Sequence, residues 1–84
     1  MTLHLVFSPA GWSSCQLRLS TSDSVILLGD GVYVAGQIEQ PQISVVGEDL
    51  EIRGCKAPAR ASVIDYQDMV ELCTQHNPIV SWND

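Results

Sequence analysis

Charge is scarce in this chain, and positive charge most of all. Of its 84 residues 17 % are Asp, Glu, Lys or Arg, and ten acidic residues face only four basic ones, for a net charge of −6. So few cations cannot grip a phosphate backbone, so no direct nucleic-acid contact is expected, and any nucleic acid in its biology is reached through another protein. Cysteine is sparse too. The three present are odd in number and lack paired or CxxC spacing, which argues against a disulfide framework and reads as free thiols in a reducing compartment, the cytoplasm. His4 and His76 have no neighbouring His or Cys at metal-ligand spacing, so neither a metal nor a cofactor is expected. No apolar run approaches the roughly 20 residues of a membrane-spanning helix. A strand beginning almost at Met1 is expected to leave no room for a targeting peptide. Linkers and low-complexity segments are missing as well, which predicts one domain over residues 1–84.

What is abundant is apolar residue, 45 % of the chain. A domain of this size buries roughly 60 to 65 % of its unfolded surface. With little charge to cover the remainder, some apolar surface is expected to meet a partner.

The apolar residues are organised around Val25-Ile26-Leu27-Leu28, a run without polar alternation that stops at Gly29-Asp30-Gly31. Such a run predicts an internal strand covered on both faces by helices and flanked by parallel neighbours. The glycines suit a tight turn, and Asp30 is placed to cap the helix that follows, whose apolar side is Val32, Ala35 and Ile38 and whose end is Pro41. Ahead of it, Leu3–Phe7 predicts a first strand and Ser8-Pro9-Ala10-Gly11 a turn. Trp12, Cys15 and Leu19 then stripe a short helix with Ser13 or Ser14 as N-cap. Further on, Ile43–Val46 predicts a third strand, Gly47-Glu48-Asp49 a turn, and Leu50 and Ile52 a helix of one or two turns ending at Gly54. Ser62-Val63-Ile64 predicts a fourth strand. Asp65 caps the most regular helix, with Tyr66, Met69, Val70 and Cys73 at i, i+3, i+4 and i+7, Leu72 and His76 beside them, and Asn77-Pro78 at its end. Ile79–Trp82 is a short fifth strand at an edge. Strand and helix in alternation predict an α/β fold: a three-layer α/β/α arrangement on a four- to five-stranded, mainly parallel sheet with right-handed crossovers.

Few residues carry chemistry on their own. Cys15, read as lying near a helix start, is the candidate for a reactive thiol, because the positive end of a helix dipole favours a thiolate. Its stripe with Trp12 and Leu19 supports the competing reading of a buried, inert side chain. Cys73, on the apolar face of the last helix, reads as core. Cys55 sits in the loop Arg53–Arg60, which holds three of the four basic residues, and reads as an exposed thiol. Gly29-Asp30-Gly31 departs from a dinucleotide fingerprint, since Val34 stands where a third glycine is needed and Asp30 would repel a phosphate.

Taken together and in order, Leu3-His4-Leu5, the segment Val25 to Tyr33, Glu48-Asp49-Leu50 with Arg53-Gly54, and the tail from Ile64-Asp65-Tyr66 to Trp82 resemble the TusB/DsrH family of sulfur-relay proteins. The resemblance spans nearly the whole chain. It departs at Met69, where an aromatic residue is common, and in a shortened stretch before the third strand. It implies a DsrE/F/H-like fold and a place in a cytoplasmic heterohexamer, beside TusC/DsrF-like and TusD/DsrE-like subunits. Such assemblies pass persulfide sulfur toward 2-thiolation of the tRNA wobble uridine or serve sulfur oxidation. By the same resemblance the relay cysteine belongs to the TusD/DsrE-like subunit, while Cys15 falls where DsrH-type members have a cysteine. The expectation is an accessory, non-catalytic subunit that self-associates when isolated. The alternatives are a DsrH-type subunit with a persulfide on Cys15, and a stand-alone ligand-binding domain using the Gly29-Asp30-Gly31 turn.

Overall fold

The computed structural model describes residues 2–38, 42–56, 61–76 and 78–83. Pro41, Pro58, Arg60 and Asn77, to which turns and a basic loop were assigned above, lie outside the described residues. Five strands form one sheet: β1 (Leu3–Val6), β2 (Ser24–Leu27), β3 (Ile43–Val46), β4 (Ser62–Ile64) and β5 (Ile79–Trp82). Their order is β4-β3-β2-β1-β5 and every pairing is parallel. The expected α/β class and parallel sheet are therefore what the chain adopts, with β2 at the centre and β5 at an edge.

The two faces of β2 explain its unbroken apolar run. Val25 and Leu27 enter one buried cluster, Ile26 and Leu28 another on the opposite side of the sheet. Helix α1 (Pro9–Cys15), the 3-10 helix Gly29–Gln37 and α2 (Gly47–Ile52) pack on the first face, through Trp12, Cys15, Val32, Ala35 and Leu50. Helix α3 (Tyr66–Gln75) packs on the second, through Met69, Leu72 and Cys73. This division follows from connectivity: β1 to β4 step one way across the sheet, and crossovers of one hand then fall on one face. The return from β4 to β5 reverses the direction and so puts α3 on the other face.

Three local expectations are corrected. The first concerns α1, which begins at Pro9, not near Ser13. Ser8 is its N-cap, its hydroxyl accepting the Gly11 N–H at 2.9 Å, with Pro9 in the first helical position. Serine followed by proline serves a turn and a helix start equally well, since proline lacks only an N–H that the first helical turn leaves unbonded. The helix accordingly ends at Cys15, and Leu19 lies beyond it.

The second correction is that the segment after β2 is a 3-10 helix. Val32, Ala35 and Ile38, three apart, suit its three residues per turn, and all three are buried. Gly31 is forced by packing, because a Cβ there would run into the backbone carbonyl of Val6.

Third, α2 starts at Gly47 without an intervening turn, and Ile52 points to solvent, 77 % exposed. Asp65, by contrast, caps α3 as expected: it accepts the Asp68 N–H at 2.7 Å, and Asp68 accepts the Asp65 N–H in return.

Candidate functional site

Cys15 occupies the last position of α1, not its start. There the negative end of the helix dipole opposes a thiolate, the reverse of the expectation from sequence. The side chain is 0 % exposed among Val6, Trp12 and Val25 of the first cluster. Burial, helped by the nearby Asp23 carboxylate, pushes its thiol up to about 11. Cys55 and Cys73 are both half-buried, Cys55 against the first cluster and Cys73 against the second. Neither matches its expectation fully: Cys55 is more covered than an exposed loop thiol, and Cys73 less covered than core. The two belong to opposite faces of the sheet.

At the carboxyl ends of β2, β3 and β4, where parallel sheets gather ligands, the chain assembles a polar cluster around Asp49. This carboxylate is buried and accepts the Gly29 N–H at 2.8 Å and the Tyr66 hydroxyl at 2.7 Å. Arg53 reaches it at 3.6 Å and binds Asp30 at 2.9 Å through Nε. The Tyr66 hydroxyl is held above its ordinary value, chiefly by its hydrogen bond to Asp49 and then by burial. The Arg53 guanidinium is raised by its hydrogen bond to Asp30. Capping of the 3-10 helix thus falls to Asp49, twenty positions along the chain, while Asp30 pairs with Arg53 on the surface. Gly29 takes φ 55°, a left-handed conformation that favours glycine and turns its N–H toward Asp49.

A ligand-binding turn must offer free donors. Here the Gly29 N–H goes to Asp49 and the Gly31 N–H to the Leu28 carbonyl at 3.0 Å. Among the described residues no buried side-chain nitrogen or oxygen lacks a partner, and no group of three or more His, Cys, Asp or Glu is placed to hold a metal. The cluster works as a clasp: it ties the start of α3 and the end of α2 to the turn after β2.

A second buried polar chain runs from Trp82 of β5 through His4 of β1 to Asp23 ahead of β2. Trp82 Nε1 donates to His4 Nδ1 at 3.0 Å, and His4 Nε2 meets Asp23 Oδ2 at 2.9 Å. Asp23 also accepts the Thr2 and Ser20 N–H groups at 3.0 and 3.1 Å. The hydrogen bond from His4 holds the Asp23 carboxyl well below the usual range, against the opposing effect of burial, and the two backbone donors add to it. Sequence reading missed this network. Its members are 19 and 78 positions apart, and only the strand register brings them together.

Among the described residues no helix is long and apolar enough to cross a membrane. The fold is shared by a solved structure, the solution NMR structure of protein Tm0979 from Thermotoga maritima. It superimposes with a TM-score of 0.68 over 90 % of this chain and 94 % of that one, at 20 % sequence identity. No curated protein matches the chain significantly. Residues 7–79 match the family described as DsrH like protein, nearly the span over which the ordered motifs carried the resemblance. The chain belongs to the DsrH-like family of sulfur-relay proteins.

Proposed function

We propose that this chain is an accessory, non-catalytic subunit of a cytoplasmic sulfur-relay complex, working beside TusC/DsrF-like and TusD/DsrE-like subunits and serving 2-thiolation of the tRNA wobble uridine. The observation that carries the reading is the state of Cys15. Persulfide transfer requires a thiolate to attack the outer sulfur of a donor persulfide. A new S–S bond forms, the old one breaks, and the donor leaves as its own thiolate. Such an attack needs both ionisation and access. Cys15 has neither, being fully buried at the C-terminal end of a helix with its thiol pushed up to about 11. Membership of a family whose members work in multi-subunit sulfur-relay assemblies supports the subunit role. The net charge of −6 supports a role that reaches tRNA only through other chains.

The test is reconstitution with a TusC/DsrF-like and a TusD/DsrE-like chain from the same source. The complex is loaded with persulfide and transfer is followed by mass spectrometry, with the natural chain and with Cys15→Ser. Full transfer by an intact Cys15→Ser complex is the expected result. Transfer abolished in an intact complex, with a persulfide mapped to Cys15 in the natural chain, would replace this reading by the DsrH-type alternative in which Cys15 carries sulfur.

A further inference from the structure

The two faces of the sheet are unequally covered. Five strands about 4.8 Å apart span about 24 Å, whereas one helix with its side chains is about 10 Å across. Among the described residues the first face has three helical elements, the second only α3. In α3 no residue is fully buried: Met69, Leu72 and Cys73, its inward stripe, are half-covered, and Val70 is 56 % exposed. Beside it, Leu5 and Phe7 are only half-buried, and Ile79, which the register sets next to Leu3 on this face, is 42 % exposed.

Among the described residues the charge around this face has one sign. Asp65, Asp68 and Glu71 lie at the cap and along α3, and neither α3 nor β1 nor β5 contains a Lys or Arg. The ring of His76 is turned onto the Leu72 carbonyl at 2.8 Å. Among the described residues the cations are Arg18, Arg53 and Lys56, in segments that follow α1 and α2 of the opposite layer, and Arg53 is already engaged by Asp30 and Asp49.

We propose that the half-covered face between α3 and the β1–β5 edge is the docking surface for a different subunit, one that brings an apolar surface rimmed with Lys or Arg. A second copy of this chain is the poorer occupant. A two-fold contact uses the same patch on both partners, and would set the carboxylates of Asp68 and Glu71 against their own counterparts. This inference rests on the reading of the chain as one subunit of a mixed complex. It adds which face is used and what charge the partner presents.

The experiment co-expresses the chain with a TusC/DsrF-like and a TusD/DsrE-like chain from the same source and measures assembly and hydrogen exchange. In the complex, α3, β1 and β5 should gain protection while α2 does not. Val70→Glu and Ile79→Glu, both at exposed positions, should each weaken assembly by about thirtyfold or more, as expected when a central apolar contact is lost. The charge reversal Asp68→Lys with Glu71→Lys should weaken it too and flatten its salt dependence. Leu17→Glu and Ile52→Glu, exposed on the opposite layer, should assemble as the natural chain does. Circular dichroism of each variant reports its folding, and exchange on the natural complex needs no variant at all. A complex that forms with protection confined to the α1–α2 layer overturns the assignment of the face and leaves the subunit reading standing. A homodimer that forms in place of the mixed complex and is protected on the α3 face overturns the choice of partner. No assembly of any kind overturns both.

Discussion

Trp82 donates its indole N–H to His4 Nδ1, which leaves His4 Nε2 to donate its N–H to the Asp23 carboxylate. The edge strand β5 is thereby bound by side chains as well as by its ladder to β1. The same contact holds the loop ahead of β2, because Asp23 also accepts the Ser20 and Thr2 amides.

His4→Phe should strand the Asp23 carboxylate without its main partner and cost about 3 to 5 kcal/mol. Trp82→Phe removes one donor and should cost about 1 kcal/mol from the hydrogen bond alone. Urea denaturation of the two variants checks the order.

Acid should act through Asp23. Its folded-state value lies below that of the unfolded chain, so the folded state binds fewer protons. The stabilisation is complete above the unfolded carboxylate value of about 3.9 and is lost as pH falls through and below it. Between pH 7 and pH 3 the natural chain should therefore lose more stability than Asp23→Asn, as urea midpoints at the two pH values would register.

Cys15 should be the last thiol to react. Iodoacetamide at pH 8, followed by peptide mapping, should label Cys55 and Cys73 before Cys15, whose alkylation waits for the fold to open. Its raised value also works in the alkaline direction. The folded state keeps a proton that the unfolded chain gives up near 9, so stability falls as pH rises from about 9 toward about 11. Cys15→Ala should show less of that fall.

Two glycines in one 3-10 helix should answer differently to alanine. Gly31→Ala presses a methyl into the Val6 carbonyl, which is backbone of the sheet and cannot rotate away, and should cost about 3 kcal/mol or more. Gly36 faces open space, and Gly36→Ala should raise stability by up to about 1 kcal/mol by restricting the unfolded chain. Thermal melts of the pair separate packing from conformational entropy.

How much of this was legible in the sequence depended on how local the cause was. Val25–Leu28 announced a strand buried on both sides because its pattern contains no polar residue, and Asp65 announced a helix start because its partner Asp68 is three residues away. Ser8-Pro9 misled because turn and N-cap use the same chemistry. The reactive reading of Cys15 rested on that misplaced helix start. Asp49, Tyr66 and the His4–Asp23–Trp82 chain were invisible, since strand order and register create those contacts. For α3 the periodicity marked an apolar stripe correctly. It said nothing of how much neighbouring structure would cover that stripe, and among the described residues none of its members is fully buried.

The central claim, that this chain works as one subunit among several, is tested most directly by the mass of what it forms. Light scattering on a sample co-purified with a TusC/DsrF-like and a TusD/DsrE-like chain from the same source should give a single mixed complex well above the 9.2 kDa of the chain alone. A clean 9.2 kDa species that ignores both partners at working concentration would contradict the account.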